Sequence, residues 1–385
     1  MARITYLTTI DFDHGAVAGL PDALAELGIA RPLIVSDRGL VDAGLVDRVT
    51  ATLPADMSVE VFDGTPANPT EAAALEACDR YLEGGRDGLV AVGGGSSMDL
   101  AKAVAVLTTH PQPLGQYAMI EGGVARLTDA LAPVVAIPTT AGTGSEVGRG
   151  ALVTLADGRK LALISPYLIP KRAICDPELT LGLPPGLTAA TGMDALTHCV
   201  ETFLSPLVNP PAEAIAIDGA ARAACWIERA VTHGDDREAR WQMMMAAMQG
   251  GMTFQKGLGA VHAMSHPLGS LAEPTLHHGT LNAVILPAVL RFNDGHVGDK
   301  YERLRAALGV GDADLAGLGR GPQRPPGPAS PPARHGRAGR GDPAHGRGRA
   351  GRPLQRDQPP AGVGRRLPRA VRRGDGVGGR RPKGQ

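Results

Sequence analysis

A chain of 385 residues is too long for one small core, and two domains are the natural expectation. Its 39 basic and 39 acidic residues cancel but are split: from Gly319 onward there are 17 basic and 3 acidic residues, net +14, which leaves 22 basic and 36 acidic, net −14, before it. Four scattered cysteines without a CxxC pair exclude a zinc ribbon and a secreted disulfide framework, no apolar run reaches transmembrane length, and the start MARITYLTTIDFDHG lacks a signal-peptide core, so the cytoplasm is expected.

In chain order, Ala16–Leu27 reads as helix and Pro32–Ser36 as a buried strand. Leu40–Leu53 follows as helix, Val59–Phe62 as strand and the Ala-rich Thr70–Glu83 as helix. Gly88–Val92 is a strand ending in glycines, Met98–Leu107 a helix, and Val134–Pro138 another buried strand. Continuous Val/Ile/Leu runs between helices indicate a parallel sheet covered on both faces. After Pro184–Pro185 the strands stop, and Leu187–Leu204, Pro211–Val231, Ala239–Gly250 and Leu281–Asn293 favour helix. The expected fold is an α/β Rossmann-like domain over 1–183, an all-α metal-binding domain over 184–318, and a disordered tail over 319–385.

Two loops and one carboxylate point to a dinucleotide. Ala91–Leu100 (AVGGGSSMDL) runs from a strand through glycines into a helix, where backbone N–H groups and the helix N-terminus suit a pyrophosphate. An ordinary tight turn is the competing reading, and Ser96 and Asp99 could simply cap the helix. Pro138–Glu146 (PTTAGTGSE) is a second small-residue loop after a strand and suits a nicotinamide ribose or phosphate, or is a solvated loop. Asp37 ends the first buried strand, where it can bind a ribose 2′-OH and repel a 2′-phosphate, selecting NAD, or can cap a helix.

Three clusters point to a metal. Asp194 and His198 lie four apart, as do His262 and His266, and His277–His278 adds a third pair. On helices such spacings place side chains on one face. One carboxylate and several imidazoles suit Fe²⁺ or Zn²⁺ with an open position.

GGGSSMDLAK (Gly93–Lys102), PTTAGTGSEV (Pro138–Val147), DPELTLGLPPGLTAATGMDALTHCVE (Asp176–Glu201), GLGAVHAMSHPLG (Gly257–Gly269) and HHGTLNA (His277–Ala283) resemble the iron-containing alcohol dehydrogenase family, in particular its 4-hydroxybutyrate dehydrogenase-like branch. The resemblance runs from about Ile4 to Leu315. It implies Asp194, His198, His262 and His278 as metal ligands, with His277 as the runner-up to His278, and His266 as a proton relay beside the nicotinamide. Asp37, Asn68, Gly94, Gly95, Ser96, Asp99, Thr139, Thr140 and Lys160 match cofactor-cleft positions. The implied reaction is NAD-dependent oxidation of a small primary alcohol, or reduction of its aldehyde, at one divalent metal, Fe²⁺ before Zn²⁺. A 4-hydroxybutyrate carboxylate would need a cation, for which Arg149 and Lys256 are candidates. No nucleic-acid or membrane partner is implied, and a homo-oligomer is compatible. The alternatives are a nucleic-acid-binding protein acting through the +14 tail and a metal-dependent lyase-like relative of 3-dehydroquinate synthase type.

From Leu318 the chain lacks Ile, Met, Phe, Tyr, Trp, Cys and Glu. Such a segment cannot bury enough apolar surface to offset chain entropy. Gly, Pro, Arg and Ala codons begin GG, CC, CG and GC, so a shifted frame is constrained. Moving one nucleotide over 321–336 permits the amphipathic GLNARLGLPARLRAMG. The same shift over 345–361 permits MAEAALADPCNATNPR. A frameshift near Ala316–Gly321 is therefore expected, with the last helices of the metal-binding domain lost.

Overall fold

The structure is a computed structural model, and it describes residues 8–269, 271, 273, 276–310 and 315–317. The expected tail and frameshift fall outside the described residues.

Eight strands occur among the described residues: β1 (Thr9–Phe12), β2 (Pro32–Val35), β3 (Glu60–Phe62), β4 (Gly88–Gly93), β5 (Val134–Pro138), β6 (Gly150–Thr154), β7 (Lys160–Ile164) and β8 (Arg172–Cys175). Six form one parallel sheet in the order β1-β8-β5-β4-β2-β3. β6 and β7 pair antiparallel as a separate hairpin. Strand alternation gives the sheet two apolar faces. Leu33, Val35, Leu89, Ala91, Val134 and Ala136 join one core; Ile34, Val90, Val92, Val135 and Ile137 join the other. Helices must cover both, which is why the strands read as unbroken apolar runs.

The covering helices are α1 (Leu20–Glu26), α2 (Arg38–Asp42), α3 (Leu45–Thr50), α4 (Glu71–Glu83) and α5 (Gly95–Leu107). The second half consists of α6 (Pro185–Leu204), α7 (Pro210–Thr232), α8 (Arg237–Met252), α9 (Ala260–Leu268), α10 (His278–Asn293) and α11 (Lys300–Leu308). α6 lies at its centre, packed against α7, α8 and α10. Phe203, Leu196, Val200, Met243, Met244 and Leu286 are buried in that core, each side chain contributing about 1.5–3 kcal/mol.

Four departures from the sequence reading have local causes. Leu40–Leu53 is two helices, α2 and α3, broken at Gly44, whose φ of +72° cannot continue a helix. Ala16–Gly19 is a 3₁₀ turn, and α1 begins only at Leu20, with a proline in its first turn. Two strands of the sheet, β1 and β8, and the β6–β7 hairpin were not expected; β1 is an edge strand, and every residue of β1 keeps some exposure. α10 begins at His278, three residues before the expected Leu281, so that histidine is on a helix. Among the described residues no helix is long and apolar enough to cross a membrane.

Candidate metal centre and dinucleotide cleft

α6 starts on Pro185, a residue suited to a first helical turn because its missing N–H would be unpaired there. Asp194, His198 and Glu201 follow at spacings of four and three, which aligns them on one face. α9 carries His262 and His266 four apart, and α10 carries His278 and Asn282 four apart. The three helices turn these faces toward one point.

There, Asp194 Oδ1 lies 3.6 Å from His198 Nε2, 3.7 Å from His262 Nε2 and 3.6 Å from His278 Nε2. The four ligand atoms are all within 4.8 Å of one another. These separations are too long for hydrogen bonds and suit ligands about 2.0–2.2 Å from a shared cation. The remaining ring nitrogens of two histidines are engaged: His262 Nδ1 donates to Glu201 Oε2 at 2.6 Å, and His198 Nδ1 meets the Gly142 carbonyl at 3.3 Å. Both contacts leave the Nε2 lone pair for the centre. Asn282 Nδ2 donates to Asp194 Oδ1 at 2.7 Å, while its buried Oδ1 has no hydrogen-bond partner. A carboxylate oxygen and three imidazole nitrogens that converge within 4.8 Å are a set that a cation would satisfy. The donor set fits Fe²⁺ or Zn²⁺.

Asp194, His198 and His262 are at most 5% exposed, whereas the His278 side chain is 32% exposed, so the centre is most open on the α10 side. The His266 ring stacks on His278 there, centroids 5.2 Å apart. Burial works against ionisation of Asp194, but the surrounding His198, His262 and His278 hold its carboxyl below the usual range. Burial lowers His198 to about 4, against the pull of Asp194. It lowers His266 to about 3, helped by His278 and His262, and it also lowers His278. For His262, burial is outweighed by the facing Asp194 carboxylate and the bond to Glu201, and the value rises to about 9, the Nε2 proton being the one a bound cation would displace.

The dinucleotide candidates gather at the carboxyl ends of β2, β4 and β5. β2 leads outward to β3, and the chain then returns to β4 and continues to β5 on the other side, so β2 and β4 flank a switch point. No side chain caps α5, whose N-cap is Gly94 and first residue Gly95, so its first N–H groups stay available to an anion. Asp37 caps α2, Oδ1 accepting from Leu40 N at 3.1 Å. Ser96 Oγ donates to Ala67 O at 2.6 Å, and Lys160 Nζ donates to Asn68 Oδ1 at 2.7 Å. Thr139 N donates to Gly93 O at 3.0 Å, and Thr140 adjoins Gly94.

Asp99 is used inside the fold: it accepts from Ser145 Oγ at 2.8 Å and Leu152 N at 3.0 Å. The fully buried Lys102 donates to Ser145 O, Ser145 Oγ, Gly148 O and Gly150 O. Together they clamp the loop after β5 onto α5. The same loop abuts the helical half, with the Cα of Gly251 in α8 only 2.5 Å from where a Cβ on Gly144 would sit.

Lys256 is not a substrate cation. It is fully buried at the end of α6, donating to Thr202 O, Phe203 O and Ser205 O and paired with Glu213 at 3.3 Å. Arg149 is exposed. His277 is exposed at the N-cap of α10. Glu201, Asn282 and Lys102 were not singled out from the sequence. Glu201 continues the Asp194/His198 spacing by three residues, and Asn282 follows His278 by four, so helical spacing was the available signal.

Comparison with known proteins follows the same division. Residues 8–177 match the family model for iron-containing alcohol dehydrogenase, and residues 188–318 match that for the C-terminal part of the Fe-containing alcohol dehydrogenase family. The chain is 58% identical over 324 residues to 4-hydroxybutyrate dehydrogenase of Cupriavidus necator, covering 82% of this chain and 85% of that protein. It is similar to the crystal structure of a 1,3-propanediol oxidoreductase, with a TM-score of 0.76, 36% identity, and 82% and 83% of the two chains covered. It is also similar to sulfoacetaldehyde reductase from Bifidobacterium kashiwanohense in complex with NAD⁺, with a TM-score of 0.71, 28% identity, and 80% and 86% covered.

Proposed function

The chain belongs to the family of iron-containing alcohol dehydrogenases, and from that premise we propose that Asp194, His198, His262 and His278 hold a divalent cation, Fe²⁺ before Zn²⁺, over which hydride passes reversibly between a primary alcohol and NAD. The carrying observation is the convergence of those four ligand atoms within 4.8 Å on the helices that adjoin the dinucleotide loops. NAD as the cofactor is supported by the acidic Asp37 at the end of β2, by the uncapped α5, and by a relative solved with NAD⁺.

A bound cation would supply Lewis acidity that brings the alcohol proton into the neutral range. The remaining tasks belong to the chain. The clamped loop after β5 and the α5 N-terminus hold the dinucleotide, so that the substrate C–H hydride passes to nicotinamide C4 as alcohol becomes aldehyde. The hydroxyl proton leaves toward the open side of the centre, where His266 stays neutral at neutral pH. Its ring, stacked on His278, lies on the path by which the proton would pass on to water.

4-Hydroxybutyrate and succinic semialdehyde are the proposed substrate pair, supported by the 58% identical relative of that activity. With Lys256 committed to α6, Arg149 is the remaining named partner for the carboxylate. A division at 183 is supported by family models that meet between 177 and 188. The cytoplasm is supported by four free cysteines. We read 319–385 as the product of a shifted frame, supported by a family model that ends at 318 and by the exposure of Val284 (72%) and Phe292 (78%) on α10. Resequencing the gene from an independent isolate tests this; an unchanged frame would refute it.

The functional test is NADH formation by the chain and by its frame-corrected form, each with Fe²⁺ or Zn²⁺, on 4-hydroxybutyrate, 1,3-propanediol and ethanol. The highest kcat/KM is expected on 4-hydroxybutyrate. A corrected chain inactive on every alcohol would overturn the reading.

A further inference from the structure

We infer that Glu201 is a positioning residue: it fixes the tautomer and ring plane of His262 and so prepares that ligand for the cation. The inference rests on the ligand assignment above and concerns a side chain outside the ligand set.

Glu201 lies on α6, and its side chain is 3% exposed. Its carboxylate takes three donors from two consecutive residues. Oε1 accepts from Val261 N at 2.6 Å; Oε2 accepts from His262 Nδ1 at 2.6 Å and faces His262 N at 3.3 Å. α9 begins at Ala260 with Gly259 as its N-cap, which has no side chain to offer. A carboxylate from another helix therefore performs the capping, where the helix dipole also favours an anion. Held on both sides, that carboxylate has little freedom to turn.

The consequence falls on the imidazole. A charge-assisted bond at Nδ1 keeps the proton on that nitrogen and leaves Nε2 with its lone pair. Nε2 points at the centre, 3.7 Å from Asp194 Oδ1. A cap alone needs only the two backbone contacts. The third bond, to the ring itself, ties helix entry to ligand geometry. Gly259 is part of the arrangement, because a Cβ there would lie 2.7 Å from Glu201 Oε1 and push the carboxylate away.

The test uses the full chain, stripped of metal and titrated with Co²⁺ against a competing chelator, with thermal unfolding of the metal-free form alongside. In Glu201→Gln the amide oxygen still accepts from Val261 N. The amide NH₂, however, faces Nδ1 as a donor and favours the tautomer with its proton on Nε2. Co²⁺ affinity is expected to fall 10–100-fold, the usual range for an outer partner of a ligating histidine, with the metal-free melting temperature little changed. Gly259→Ala touches no ligand and is expected to weaken Co²⁺ binding at least tenfold. It also decides the matter if Glu201→Gln does not fold. Wild-type affinity in both variants, or a fall in melting temperature without a fall in affinity, would overturn the inference. A wild-type chain that binds no Co²⁺, or a His262→Ala variant that binds as well as wild type, would instead overturn the ligand assignment on which it rests.

Discussion

His277 and His278 differ by one position and by everything that matters for a ligand. His278 begins α10 and puts Nε2 3.6 Å from Asp194 Oδ1, whereas His277 sits outside the helix, exposed. His278→Ala is expected to cut bound metal at least tenfold, and His277→Ala to leave it within twofold, as read by metal analysis after dialysis. A second residue is informative through its pH dependence. Burial pushes the Glu146 carboxyl up to about 7, only partly offset by Lys102. Folding thus favours the protonated form. Its contribution is fully present below the ordinary value of 4.5 and is lost as pH rises through 7. Glu146→Gln should therefore match wild type in urea unfolding at pH 4.5 and exceed it by about 1–3 kcal/mol at pH 8. Equal stability at both pH values would refute this. Spacing made the helical pairs at 194/198 and 262/266 legible in the sequence. Glu201 and Asn282 share that spacing, but carboxylates and amides usually face water, and only contact between helices gives these two a role.

At the scale of elements, unbroken apolar runs betrayed β2, β4 and β5, since strands covered on both faces have no polar side to show. β6 and β7 carry only five residues each, part-buried, and β1 and β8 lack a long Val/Ile/Leu run. Short strands of that kind acquire their identity from their partners. The same holds for the loop after β5, whose glycines read equally well as cofactor loop or solvated loop. The structure shows why one of them is fixed. Gly144, at φ +64°, faces the backbone of Gly251 at a distance that leaves no room for a Cβ. Gly158 has a similar φ of +83° but open space around it. Gly158→Ala should cost about 1–2 kcal/mol, the strain of a left-handed residue. Gly144→Ala should cost about 3 kcal/mol or more, because backbone must also move. Urea midpoints compare the two, and equal costs would refute the close-contact account.

For the whole molecule, the helical half presents apolar surface beside α10. A cavity of about 470 Å³, lined by Leu204, Leu258, Leu286, Val289 and Leu290 among others, opens between α6, α10 and α11. Val284 and Phe292 are exposed nearby in sequence on α10. Uncovered apolar area costs about 25 cal/mol per Å². If a shifted frame has removed helices that belong there, the frame-corrected chain should melt several degrees higher and bind less of a hydrophobic dye. An identical melting temperature and dye signal would count against the frameshift. Cation binding should stabilise either form, by about 2.7 kcal/mol at one hundred times the dissociation constant.

The contact of Gly144 with Gly251 also bears on how this chain can be recombined with its relatives. Two backbones that touch without side chains between them behave as one inherited unit, although about a hundred residues separate them in sequence. A hybrid that takes residues 138–150 from one parent and 237–252 from another inherits the joint only if both parents supply glycine. Crossovers placed before β5 or after α8 keep the pair together, and those placed between them gamble with it.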